Sequence, residues 1–495
     1  MAEVAAAALN AVTVSVSRAP AVRLHTLPNG VRLLALVQPH LRSASVSVFV
    51  RTGSRHESTR LNGISHVVEH MAFKGTATRD CQRINLDAEC LGADVNAHTD
   101  KDHTAYHMRG RAGDAPAFIR MLGDIALNGS FPADELERER EVILQEFLED
   151  EDDALSTAFK LFDAQCFGRP PLAQPVIGLR RNIERFTRDE LLDYVRRQYT
   201  GRNLIVAVAG PLDAEALLPA VEAAFGALPA GDENRVATPT WVGGLKLRRV
   251  PGCSQTHVVL GYPLAPLGDA SMPAAVMAAT VFGEGMSSPL LDRVRERLGL
   301  VYHAGCSADI GDLAGQFVID ASTTPEHLDA FLAEVTTLLH AHADAIDPVH
   351  LERARNQLAV RSLRLAERPQ RHLETAALDL FALGRVRGAD EWLAQVDAVD
   401  AEAGRAQVRR MLAAPGAAAI TGKGPSEPRT ASKKASPGPA RQRPPSAVES
   451  VAGISQNASK PRKWSRRATS TSENRCARRC FHQVKPSRSI ASQRY

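Results

Sequence analysis

Residues 66–70 read His-Val-Val-Glu-His, the pattern H-x-x-E-H. On a helix, positions i and i+4 lie one turn apart on one face, so His66 and His70 present two imidazoles to a single metal ion. Glu69 comes one residue before the second histidine, close enough for its carboxylate to reach a water near such an ion without ligating the ion itself. Zinc held in this way lowers the pKa of its bound water to about 7, and a neighbouring carboxylate takes the proton and passes it to a leaving amine. Peptide hydrolysis is the natural use of that set. A catalytic zinc takes three protein ligands and keeps one position open, so a third donor has to come from elsewhere in the chain. The acidic stretch 134–153, which contains LEREREVILQE, is the obvious source. Most of its acids also read as the solvated face of an exposed helix, and geometry alone selects no single glutamate.

These residues need a scaffold, and apolar periodicity supplies one. Strands are predicted over 31–38, 44–51 and 204–210, the first introduced by the turn signal Pro28-Asn29-Gly30. Helices are predicted over 64–73, 82–91, 115–127, 133–162 and 214–225. Residues 229–244 are rich in Pro, Gly, Asp, Asn and Thr and read as a linker. The plan then repeats, with strands over 247–250, 256–261, 301–308, 316–321 and 417–421 and helices over 273–281, 289–298, 326–341 and 348–365. Short strands mixed with long helices predict an α+β fold of two related α+β domains. The expected divisions are an N-terminal domain over 22–228, the linker 229–244, a C-terminal domain over 245–424 and a tail over 425–495.

Composition bounds the remaining classes. The 495 residues carry 60 Lys+Arg and 56 Asp+Glu, formally +4, but the charge is unevenly spread. From Lys423 onward there are 17 basic and 3 acidic residues, a tail of +14, which leaves the preceding 422 residues at −10. The tail is poor in large apolar residues and reads as disordered, because it cannot bury enough surface to offset the entropy of ordering. A basic nucleic-acid-binding arm is the other reading of that tail, weakened by its few aromatics, Trp464, Phe481 and Tyr495; no specific nucleic-acid partner is expected. Seven scattered cysteines, including Cys476 and Cys480, point to a reducing compartment rather than a disulfide framework. No apolar run reaches the roughly 18 residues of a membrane span. The N-terminus has neither a basic n-region nor an Arg-rich amphipathic pattern. A cytoplasmic location is therefore expected, ahead of the mitochondrial matrix.

The segments LNGISHVVEHMAFKGT (61–76) and EREREVILQE (137–146) together resemble the pitrilysin/insulinase family of zinc metallopeptidases, the inverzincins. The likeness is to half-length members such as the processing peptidase β subunit, and it extends over about residues 24–424. The resemblance implies that the third zinc ligand is Glu146, 76 positions after His70, and that Glu139, seven earlier, assists from behind a histidine. It also implies one Zn2+ per chain on His66, His70 and Glu146, with Glu69 as general base.

Further matches are G-S-R-H-E at 53–57 and N-A-H-T at 96–99, the latter resembling a strand whose Asn96 and Ala97 pair with extended substrate. His98, His103 and His107 fall on that hairpin, where the family has no ligand, and are not expected to form a second site. FGEGMSSPLLDRVRERLGLVY (282–302) resembles a segment whose Arg and Tyr, here Arg295 and Tyr302, stabilise the charge that builds on the substrate carbonyl. Pro289 replaces the usual Arg of that segment; proline is tolerated in a helix's first turn, so it is expected to tune rather than destroy. The family encloses a chamber with four such domains, which implies that this chain forms half a clamshell and pairs as a homodimer or with a related subunit. The implied activity is endopeptidase cleavage of unfolded peptides or presequence-like segments. The competing expectation is a non-catalytic, peptide-capturing or assembly subunit, a kind that usually lacks a zinc ligand.

Overall fold

The computed structural model describes residues 21–168 and 171–423; the tail expected over 425–495 lies outside them. Strands β1 (Ala21–Thr26), β2 (Arg32–Val37), β3 (Ser43–Val50), β4 (Asp94–Thr99), β5 (Thr104–Arg111) and β6 (Leu204–Gly210) form one sheet in the order β1-β2-β6-β3-β5-β4. Strands β7 (Gly244–Arg249), β8 (Thr256–Leu264), β9 (Val301–Ile310), β10 (Gly315–Thr323) and β11 (Ala417–Gly422) form a second, in the order β7-β11-β8-β10-β9.

Leaving β1 aside, each sheet reads first, fifth, second, fourth, third in chain order. In each, only the first and fifth strands are parallel, β2 with β6 and β7 with β11. The two halves are one topology used twice. The β6 segment LIVAVAG is apolar throughout because it lies at mid-sheet, buried on both faces.

The N-terminal half carries helices α1 (Ile64–Ala72), α2 (Cys81–Cys90), α3 (Ala115–Leu127), α4 (Ala133–Asp152), α5 (Ala154–Phe167), α6 (Arg180–Ile183), α7 (Arg188–Gln198) and α8 (Ala214–Phe225). The second half carries α9 (Met272–Gly283), α10 (Pro289–Leu291), α11 (Leu328–Asp344), α12 (Pro348–Ala366), α13 (Pro369–Leu383), α14 (Ala389–Asp397) and α15 (Ala401–Leu412). The single helix expected over 133–162 is two. Asp153 leaves helical geometry and its side chain accepts from the amides of Leu155 and Ser156 at 2.9 and 3.3 Å, capping α5 and ending α4. Helices α13 to α15 were not marked by periodicity. In α13 the buried acids Glu374 and Asp379 interrupt the apolar stripe, Asp379 being neutralised by Arg387 at 2.7 Å.

Each half lends a helix to the other's sheet. α13 lays Leu373, Leu380 and Phe381 against Leu34, Leu36, Phe49 and Ile205 of the first sheet. Reciprocally, α5 lays Ala158, Phe162 and Phe167 against Val259, Val318 and Ala419 of the second. Asp312, in the turn between β9 and β10, completes the join. Its carboxylate accepts from both ends of the buried Arg55 guanidinium, Nη2 at 2.9 Å to Oδ2, and lies 3.6 Å from Arg51.

Removing one partner of a buried pair leaves the other charge uncompensated. The Asp312→Ala variant is therefore expected to lose about 3 kcal/mol of stability, read as a lower urea midpoint with unchanged slope.

Candidate functional site

The site begins with a buried carboxylate. Glu57 Oε2 accepts from the amide of Gly63 at 2.8 Å and from Asn62 Nδ2 at 2.9 Å, and Oε1 accepts from the amide of Ser65 at 2.9 Å. These donors include free N–H groups of the first turn of α1, which a negative charge satisfies and stabilises. Burial, the larger effect, raises the Glu57 carboxyl above its ordinary value, and these hydrogen bonds oppose it. Gly63 itself has φ +101°, and a Cβ there would stand 2.9 Å from the Cα of Gly178, so glycine is required where the two backbones cross.

From that anchor α1 runs with Ile64, Val67, Val68 and Met71 buried in the core. The opposite side presents His66, Glu69 and His70. α4 packs against α1, and its stripe Leu136, Glu139, Ile143 and Glu146 recurs every three or four residues on the side facing it.

His66 Nε2 and His70 Nε2 face one oxygen, Glu146 Oε2, at 3.6 and 3.5 Å. Ligands at about 2.0–2.1 Å around a tetrahedral ion lie about 3.3 Å from one another, so the three donor atoms fit one zinc-sized ion. His66 Nδ1 is buried without a partner, which leaves Nε2 as the nitrogen of that ring directed at polar atoms. On His70, Nδ1 lies 3.1 Å from Glu139 Oε2, and Lys74 Nζ holds the other oxygen of Glu139 at 2.5 Å.

Electrostatics follow from this packing. Burial, then the neighbouring His70 charge, lowers His66. Burial also pulls His70 down, but the carboxylates of Glu139 and Glu146 outweigh it and hold the imidazolium up at about 10. Glu139 and Glu146 are themselves held below the carboxylate range, against the upward pull of burial, by His70 and, for Glu139, by Lys74. The two carboxylates thus favour the protonated form of the His70 ring.

Glu69 accepts a 2.7 Å hydrogen bond from Thr99 Oγ1 at the end of β4. β4 is an edge strand, with β5 on one side only. Asn96 and Ala97 lie on it, and the Ala97 amide is engaged at 2.8 Å by Asn96 Oδ1. The fold thus assembles His66, Glu69, His70, Glu139 and Glu146 and sets Asn96 and Ala97 on the adjoining strand.

Arg295 and Tyr302 are placed elsewhere. They pair with each other, the guanidinium 5.9 Å from the Tyr302 ring centroid, and Tyr302 is 79% exposed. Among the described residues, no hydrogen bond, ion pair or ring contact joins either to the histidines. Arg295 lies in a π-helical turn, Asp292–Arg297, a distortion the sequence did not suggest. Pro289 occupies the first position of α10, capped by Ser288, whose Oγ accepts from Leu291 N at 3.3 Å.

Lys74, Thr99 and Glu57 support the site as well. Lys74 stands four residues after His70 and Thr99 closes N-A-H-T, both visible spacings. Glu57 closes G-S-R-H-E, a motif that by itself assigns it no role.

Comparison with known proteins decides the family. Residues 33–179 match the family described as Insulinase (Peptidase family M16), and residues 185–358 match the one described as Peptidase M16 inactive domain. An uncharacterized zinc protease of Mycobacterium tuberculosis is 31% identical over 406 residues, 81% of this chain and 93% of that protein. The chain belongs to the insulinase family, peptidase family M16.

Other insulinase-family relatives include an uncharacterized zinc protease of Rickettsia bellii, 30% identical over 67% of this chain and 81% of that protein. The mitochondrial-processing peptidase subunit beta of Lentinula edodes is 33% identical over 54% of this chain and 55% of its own length. In fold, a protease from Helicobacter pylori superposes with a TM-score of 0.75 at 19% identity, covering 81% of this chain and 99% of that one. The His66–Glu146 group falls wholly within the first matched segment of this insulinase-family chain. In the second, α9 takes the place of α1 between the second and third strands and is apolar, MPAAVMAATVFG. Among the described residues no helix is long and apolar enough to cross a membrane, and Cys81, Cys90, Cys166, Cys253 and Cys306 are free thiols.

The turn that anchors α1 is also expected to make the protein acid-sensitive. Burial, then the Arg55 charge, pushes His56 from 6.5 down to about 3. Such a histidine leaves stability intact above its unfolded value and withdraws it as pH falls, because only the unfolded chain takes the proton. Unfolding free energy is expected to fall by ~1.4 kcal/mol per pH unit between pH 6 and 4 on this account. The His56→Gln variant should lose that share of the slope, measured by urea midpoints across pH.

Proposed function

We propose that this chain is a zinc-dependent endopeptidase acting on unfolded peptides or presequence-like segments. The convergence of His66, His70 and Glu146, their donor atoms within 4.8 Å of one another beside Glu69, carries this reading. His66 Nε2, His70 Nε2 and Glu146 would hold one zinc ion per chain. When bound, the ion supplies a Lewis acid that brings its water near a pKa of about 7.

Glu69, steadied by Thr99, accepts the proton of the attacking water and returns it to the leaving amine. Glu139 fixes the His70 ring so that Nε2 faces Glu146, and Lys74 keeps Glu139 ionised. The β4 edge beside α1 offers main-chain groups to an extended peptide at Asn96 and Ala97, a mode that requires the substrate to be unfolded. The −10 of residues 1–422 favours basic peptides. Relatives named as zinc proteases and as a processing peptidase β subunit support the same activity.

Arg295, half-buried, and Tyr302, exposed, both apart from this group, are proposed to reach the site of a second chain in a dimer, identical or related, and to stabilise charge on the substrate carbonyl there. A purely peptide-capturing subunit has no use for a glutamate held by a hydroxyl beside two histidines, and turnover separates that alternative.

With a quenched fluorogenic peptide, Glu69→Gln protein is expected to lose about 10²–10⁴-fold in turnover while retaining zinc. Glu146→Gln should lose zinc affinity; Glu69→Gln protein that still turns over after chelation and zinc reloading would sink the assignment. Mixing Glu69→Gln chains with Tyr302→Phe chains is expected to restore activity that neither shows alone. A mixture as inactive as its parts rules out the shared site.

A further inference from the structure

A second set of metal-ligating side chains lies on the other face of the N-terminal sheet. Alternation along β4 turns Ala97 into the core shared with α1 and His98 toward the face covered by α13. His103, wholly buried, occupies the turn between β4 and β5, and Glu374 comes from α13. His98 Nε2 and His103 Nε2 stand 3.2 Å apart, and Glu374 Oε1 lies 3.7 Å from the first and 3.9 Å from the second. These separations are close to the about 3.3–3.6 Å between ligands held at 2.0–2.1 Å in tetrahedral or trigonal geometry. The two histidine–carboxylate distances are close to the 3.6 and 3.5 Å at Glu146.

The support behind the ligands matches too. His103 Nδ1 lies 2.7 Å from Asp102 Oδ1, so the ring donates there and keeps the Nε2 lone pair for the group, the tautomer a metal requires. Glu374 is steadied by Arg371 at 3.3 Å. Phe49, its ring 5.8 Å from that of His103, walls the site from one side. The i, i+4 pair of the sequence, His103 and His107, is not the pair that converges: His107 stands on β5 with its ring 5.7 Å from His98 and its Nδ1 buried and unpartnered. The decisive ligand comes from 276 residues downstream of His98, beyond the reach of any local motif.

We propose that His98, His103 and Glu374 form a second, structural zinc site that clamps α13 to the β4–β5 hairpin. Two imidazoles and a carboxylate suit zinc among the borderline divalent metals. Asp102 is paired with His103 and Arg371 with Glu374, so these two neighbours serve the ligands themselves. The site holds the two halves together and has no hydrolytic part.

The test uses the full chain, stripped by chelation, re-equilibrated with micromolar free zinc and analysed for bound metal after gel filtration. Wild-type protein is expected to retain two zinc ions, His66→Ala/His70→Ala protein one, and the same protein with His98→Ala none. Zinc should raise the melting temperature of the His66→Ala/His70→Ala protein by several degrees, and should cease to do so when Glu374→Gln is added. One zinc in the wild type and none in the double variant overturns the proposal, as does a remaining ion that survives His98→Ala. Should the double variant fail to fold by circular dichroism, His98→Asn in the otherwise native chain decides: a drop from two ions to one supports the site, and no change overturns it.

Discussion

The geometry of the candidate site depends on one ionic contact made before any metal is considered, the carboxylate of Glu57 against the N-terminus of α1. A helix start leaves amide groups unpaired, and in this chain that start is buried, where water cannot satisfy them. Glu57 receives two of those amides and the Asn62 side chain, while Gln174 Nε2 binds the carbonyls of Ser54 and Glu57 and fixes the turn that delivers the carboxylate. The direction of α1 is thereby set from its first residue. Because His66, Glu69 and His70 lie within its next two turns, so is their approach to α4.

Local pattern and long-range contact divided the information unevenly. H-x-x-E-H carries its own geometry, because i and i+4 share a face on any helix, and the alternating strands β2, β3, β8 and β10 lie within a residue or a few of where periodicity put them. The choice of Glu146 among ten acids of α4 came only from family resemblance, since a helix face does not say which of its turns meets α1. The helix break at Asp153 is a capping event that an unbroken acidic run conceals. Helix α13 shows no clear apolar period, because its buried polar residues serve contacts with the other half, which no window of sequence contains. Thr99 and Lys74 were within reach of spacing alone, one at the end of a recognised strand and the other a turn beyond a ligand.

The duplicated topology gives the two halves different tasks. Both place a helix between their second and third strands. In the first half that helix is amphipathic and presents histidines; in the second, α9 is buried on all sides and serves only to pack. Polar groups near the end of the second half's sheet, the half-buried Arg295 and the exposed Tyr302, lie on a π-turn and an edge strand instead. The same strand order thus carries a histidine- and glutamate-bearing helix in one copy and an apolar one in the other.

The exchange of helices between the halves bears on how the chain is made. The first sheet cannot close until β6 is synthesised, since β6 sits between β2 and β3. Even then, Leu34, Leu36, Phe49 and Ile205 remain uncovered until α13, more than 160 residues later, has emerged. During translation at about 5–20 residues per second, that apolar face stays open for roughly ten seconds or more. The N-terminal half therefore leaves the ribosome with one face of its sheet apolar and uncovered by α13 until that distant helix arrives.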